Sequence, residues 1–126
     1  MQTKLWAGRI MSGLAVAFLI VDAGFKLLQP PMAIEANAEL GYPASLVLPI
    51  GLIEVACLIV YLVPQTSVFG AVLWTGYLGG AIATHVRVGN PLFSHTLFPI
   101  YVALLIWGGI WLRDEKLRAV FPLRAN

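Results

Sequence analysis

The segment ASLVLPIGLIEVACLIVYLV, Ala44 to Val63, decides the fold. It carries a single charged side chain, Glu54, and its second half, Val55 to Val63, is apolar without alternation. A helix of about 20 largely apolar residues is long enough to cross the hydrocarbon core of a bilayer. Membrane β-strands are shorter and alternate polar with apolar side chains, which this run does not do.

Three further stretches read the same way, so the spans are expected at about 5–28, 44–63, 67–85 and 97–112. The rest of the composition agrees. Of 126 residues 60% are hydrophobic and 11% are charged, and the mean hydropathy is +0.85. Soluble domains carry about a quarter charged residues, so the composition argues against a soluble enzyme and against a disordered chain. A net charge of +2 does not suit nucleic-acid binding. The single cysteine, Cys57, allows no internal disulfide and no dithiol pair. The expectation is one domain over residues 1–126, an all-α integral membrane four-helix bundle.

Local signals set the span ends. Pro30-Pro31 stops the first helix. Pro43 suits the first turn of the second, and Pro64 closes it. Thr66 or Ser67 can cap the third, and Gly89-Asn90-Pro91 turns the chain after it. Lys4 and Arg9 before an apolar run, with Val21-Asp22-Ala23 further on, resemble a secretory leader. The apolar face continues past that point, so the segment is read as a span. Between the first two spans, Pro30 to Gly41 favours a short amphipathic helix on the outer surface, with Met32, Ala36 and Leu40 on one face and Glu35 and Glu39 as neighbours.

Basic residues set the orientation. Lys4, Arg9, Arg113, Lys116, Arg118 and Arg124 lie near the chain ends, against Lys26 and Arg87 on the other side. Both termini are therefore expected in the cytoplasm, in a bacterial inner membrane.

Charged side chains at bilayer depth are costly and mark candidate sites. At 1.5 Å per residue, Asp22 lies about 25 Å along the first span, Lys26 one turn beyond, and Glu54 about 15 Å down the second. His85 ends the third, with Tyr77 eight residues back and Arg87 just past it. Asp22, Lys26, Glu54 and His85 fall in the outer half of one bundle and, with Tyr77 and Arg87, are the candidate ligand-binding set. Asp22 and Lys26, at i and i+4, can neutralise each other. Glu54 has no partner on its own helix, so it pairs with Lys26, His85 or Arg87 or stays protonated. It serves either a ligand or a tie between helices. Pro49 and Pro99 each remove a helical hydrogen bond in the same region, which suits an outward-facing polar pocket or a pair of ordinary kinks. Gly76 and Gly80 let helices approach closely, within the chain or between copies in a homo-oligomer. Tyr61, Trp6, Phe69, Trp111, Tyr42, Phe93 and Phe98 read as interfacial anchors. A metal site from His85, His95, Glu54 and Asp22 lacks tight ligand spacing and is not expected.

These residues resemble the DoxX-like family of small four-helix membrane proteins. The resemblance covers most of the chain. It rests on Asp22 to Leu27, on Leu40 to Pro43, on Leu52-Ile-Glu54 and Leu62-Val-Pro64, and above all on Gly76 to Phe93 (GYLGGAIATHVRVGNPLF). Trp111 to Asp114 and Leu117 to Pro122 match the exit of the fourth helix. The resemblance implies a four-helix fold and implies that Lys26, Glu54 and His85 belong to the family pattern. Some relatives are linked to quinone-dependent oxidoreductase complexes, whereas most have no established activity. No flavin, haem or nucleotide signature is present in the sequence.

Three functions compete. The first is an accessory membrane subunit, not catalytic on its own, with an outward-facing pocket for a quinone or another small lipophilic molecule and a redox partner protein. The second is a small proton-coupled transporter, against which stand the position of Glu54 on the second span and the one-sided charge bias. The third is a structural or assembly protein whose polar residues are ties.

Overall fold

The structure is a computed structural model and describes residues 2–124. Six α-helices follow one another: α1 (Gln2–Leu28), α2 (Pro31–Glu39), α3 (Ala44–Leu62), α4 (Ser67–Val88), α5 (Phe98–Arg113) and α6 (Glu115–Val120). A 3-10 turn (Pro64–Thr66) precedes α4, and a π-helical turn (Leu92–Thr96) precedes α5. Four helical stretches are long and apolar enough to cross a membrane: Gln2–Leu28, Ala44–Leu62, Pro64–Val88 and Leu92–Arg113. Among the described residues there is no strand, and the chain is an all-α membrane bundle.

The four long helices pack as a ring in which α1 touches α3 and α5, and α4 touches α3 and α5. Successive helices run in opposite directions, so one end of the bundle holds α1's start and α5's exit, and the other holds α2. The buried stripe of α1 is Gly8, Ser12, Ala15, Leu19, Ala23 and Lys26, spaced by three or four as one helical face requires. Its small members let α5 come close: a Cβ added at Gly8 would lie 2.6 Å from the Gly109 carbonyl oxygen. Leu19, Trp74 and Ile106 fill the centre, while Ile10, Leu14, Leu52, Ile59 and Leu104 are exposed on the outside. Exposed aliphatic surface of this extent suits lipid contact.

Turn chemistry ends the helices. After α2, Gly41 at φ +92° lets its own N–H reach Ala38 O and the Tyr42 N–H reach Asn37 O. After α4, Gly89 at φ +74° does the same for Val86 O and, through the Asn90 N–H, His85 O. Both are glycine-closed helix ends in the left-handed conformation. The third span thus continues to Val88, one turn past its expected end.

Four local expectations need correction. Thr66 and Ser67 do not cap the start of α4. Their hydroxyls instead donate to Val60 O and Tyr61 O, each at 2.7 Å, satisfying carbonyls left free at the end of α3. Pro99 is the second residue of α5, where its missing N–H costs no helical bond, so only Pro49 lies inside a helix. On α2 the buried face is Ala33 and Asn37, with Met32 exposed, because the packing stripe sits one residue further along than hydropathy suggests. Finally, Tyr61 is not an interfacial anchor. It is 3% exposed, its hydroxyl donates to Ile106 O at 2.8 Å, and it bonds Ser12 Oγ at 2.8 Å.

Arg113 completes that last network, donating from Nη2 to Ser12 Oγ at 2.9 Å and from Nε to Gly109 O at 3.0 Å. Hydrogen bonds then run in one direction, from Arg113 to Ser12 to Tyr61 to the Ile106 carbonyl. The chain joins α1, α3 and α5 at the end of the bundle away from α2. There α6, capped by Asp114 accepting from the Lys116 and Leu117 amides, buries Leu117 against the bundle. Trp111 Nε1 donates to Phe121 O at 2.8 Å and holds the chain beyond α6 in place.

Candidate functional site

A cavity of about 520 Å³ lies between the four long helices, toward the α2 end of the bundle. Each helix contributes. Asp22 and Lys26 come from α1, Glu54 from α3, Tyr77 and His85 from α4, and Phe98 and Pro99 from α5. Ala36, Asn37 and Leu40 close it from α2 and its end, while Glu35 and Glu39 stay exposed on the opposite face of that helix.

The charged centre is a triad. Lys26 Nζ pairs with Asp22 Oδ2 one turn back on its own helix and with Glu54 Oε1 at 2.7 Å on α3. Gly51, one turn before Glu54, makes this reach short: a Cβ there would be 2.8 Å from Lys26 Cβ. Glu54 is fully buried, whereas the Asp22 side chain is 37% exposed. Glu54 Oε1 is held by the Lys26 ion pair, and Oε2 has no hydrogen-bond donor among the described residues. One ammonium thus faces two carboxylates, one of them with a free acceptor in a largely apolar cavity.

The rim is fixed by polar ties. The Tyr42 hydroxyl bonds Thr84 Oγ1 at 2.7 Å, and Thr84 donates to Gly80 O at 2.8 Å. His85 Nδ1 is 2.8 Å from Asn90 Nδ2. With the Asn90 amide donating, the ring proton sits on Nε2. His95 stacks edge-on to His85, with centroids 5.8 Å apart, but does not line the cavity.

Five of the six candidate residues therefore line one cavity: Asp22, Lys26, Glu54, Tyr77 and His85. Arg87 does not. It is exposed, donates from Nη2 to Leu40 O at 2.9 Å, and ties the end of α2 to α4 outside the cavity. Asn37, Tyr42 and Thr84 also line the cavity, and their signal in the sequence is faint: one amide in an Ala-rich helix, one tyrosine at an interfacial position, and one threonine in a glycine-rich span. Gly76 and Gly80 face the cavity, and a Cβ at either would meet nothing within 4 Å, so they are not a packing face inside this chain. Among the described residues no three His, Cys, Asp or Glu side chains come together to hold a metal ion.

No curated protein and no solved structure matches the chain. The sequence model of the DoxX-like family matches residues 10–109. That range carries the triad, the cavity walls on all four long helices and the α2 cover over them. With most of the chain matched, the protein belongs to the DoxX-like family.

Proposed function

We propose that this integral membrane protein is an accessory, non-catalytic subunit that binds a small lipophilic molecule in the cavity beneath α2. The observation that carries this reading is the fully buried Glu54, with an unpartnered oxygen, lining a cavity of about 520 Å³. Small-molecule sites are of this size, mostly apolar, with a few placed polar groups. The asymmetry of basic residues supports placing the α2 end of the bundle, with the cavity beneath it, toward the outer side of a bacterial inner membrane, with both termini cytoplasmic. A quinone headgroup is one occupant this chemistry admits. Lys26, Tyr77 and His85 bring N–H and O–H donors to the cavity, where quinone carbonyls accept, and a redox protein is then the partner.

The test is photocrosslinking in native-lipid discs with a short-chain photoreactive quinone. Labelling confined to cavity residues, competed by unlabelled quinone and lost when Ala81→Phe fills the cavity, supports a ligand site of this kind. Labelling spread over the lipid-facing surface and unaffected by Ala81→Phe counts against it.

A further inference from the structure

We infer that the preferred ligand of this cavity is a lipophilic organic monocation, such as an amine or phosphonium with apolar substituents, held against Glu54 and admitted from the lipid. The inference rests on the reading of the cavity as a ligand site and selects the ligand's charge.

Charge counting comes first. Asp22 and Glu54 share Lys26 as their only cation within ion-pair distance among the described residues. With all three ionised the cavity holds one excess negative charge at membrane depth, where an uncompensated charge is disfavoured. A proton on one of the carboxylates removes that excess, and a bound monocation does the same in its place, whereas a neutral ligand does not. Second, Glu54 lines the cavity, and its buried Oε2 has no hydrogen-bond donor among the described residues. A rotation of the carboxylate brings this acceptor to an N–H group or a cation held in the cavity. Third, the walls are aromatic. Phe18, Tyr77 and Phe98 line the cavity, with Phe18 and Phe98 rings 5.0 Å apart. Aromatic rings stabilise organic cations that have left water.

The lining also points to a route. Among the lining residues on the spans, the exposed ones are Gly76 and Gly80 of α4, Phe98 of α5 and Phe18 of α1. Gly76 lies about 14 Å along α4, near the middle of a hydrocarbon core about 30 Å thick. An opening at that depth faces acyl chains rather than water. Because a Cβ at Gly76 or Gly80 would meet nothing within 4 Å, the gap there is unfilled. Entry from lipid selects apolar substituents, and two carboxylates sharing one ammonium favour positive charge.

The experiment measures tetraphenylphosphonium and a neutral short-chain quinone against the full chain in lipid discs, with empty discs as the background. Saturable phosphonium binding is expected, weakened at least about tenfold in both Glu54→Gln and Asp22→Asn. Either change removes the excess charge, although only Glu54 is fully buried. Gly80→Leu should slow association by a similar factor with unchanged thermal stability. Melting of each variant shows that it is folded. Phosphonium binding equal to empty discs, or equal in wild type and both carboxylate variants, overturns the inference. If the quinone binds in the cavity and the phosphonium does not, the charge assignment fails while the ligand site stands. If neither binds, both fail.

Discussion

Lys26 Nζ stands 2.7 Å from Glu54 Oε1 while also pairing with Asp22. A single ammonium at the α2 end of α1 thereby anchors a carboxylate near the middle of α3. Glu54 is completely buried, so the contact is shielded from solvent and the partners are not equivalent. Removing the cation strands two acids, whereas removing one acid leaves the cation a partner.

Lys26→Met is accordingly expected to cost about 3–5 kcal/mol, the usual penalty for a buried charge left without its partner. Glu54→Gln should cost about 1 kcal/mol or less, since Asp22 still compensates Lys26. The double variant should recover part of the Lys26→Met loss. Thermal melting in detergent of the two single variants and the double variant measures the coupling. An additive result would mean that the pair is not a unit.

At the other end of the bundle, Tyr61→Phe removes the donor to Ile106 O and the acceptor for Ser12. A loss of about 1 kcal/mol is expected, in keeping with hydrogen bonds between membrane helices. Melting checks it, and an unchanged midpoint would show that the hydroxyl chain carries no stability.

Two glycines of α4 should respond in opposite ways. A Cβ at Gly70 would sit 2.5 Å from the Tyr61 backbone nitrogen, whereas one at Gly76 has nothing within 4 Å. Gly70→Ala is expected to destabilise by about 1–3 kcal/mol through overpacking. Gly76→Ala should be neutral or gain up to about 1 kcal/mol from the reduced entropy of the unfolded chain. Similar melting of the two variants would contradict the packing of α3 on α4.

Membrane orientation predicts opposite results from reporter fusions after Asn126 and within Asn90–Ser94, with the former cytoplasmic. Activity of both reporters on the same side would remove the orientation on which an outward-facing cavity depends.

Spin labels along α2 should be immobile and protected at positions 33 and 37, and mobile and accessible at 35 and 39. The buried Ala33 and Asn37 and the exposed Glu35 and Glu39 motivate this pattern. A flat profile would mean that α2 does not cover the cavity.

Hydropathy alone determined the number of spans and most of their ends. Burying a helix in lipid depends on local composition and length, and proline and glycine mark where a helix stops. The sequence likewise put Asp22, Lys26, Glu54 and His85 in the outer half of the bundle, because depth follows from residue count along a helix. Which of the depth-matched cations meets Glu54 was decided in three dimensions. Lys26 reaches it because Gly51 lets α1 approach α3, while Arg87 turns away to the Leu40 carbonyl. The same holds for Tyr61, whose hydroxyl finds Ser12 and Ile106 in the bundle rather than the lipid interface, and for α6, whose cap and Trp111 contact form only once the chain turns back at Asp114. In a span that is apolar nearly all round, hydropathy carries little record of which face turns inward. The rotation of each helix about its axis is set by close packing and by satisfying buried polar groups, and those are properties of several helices together.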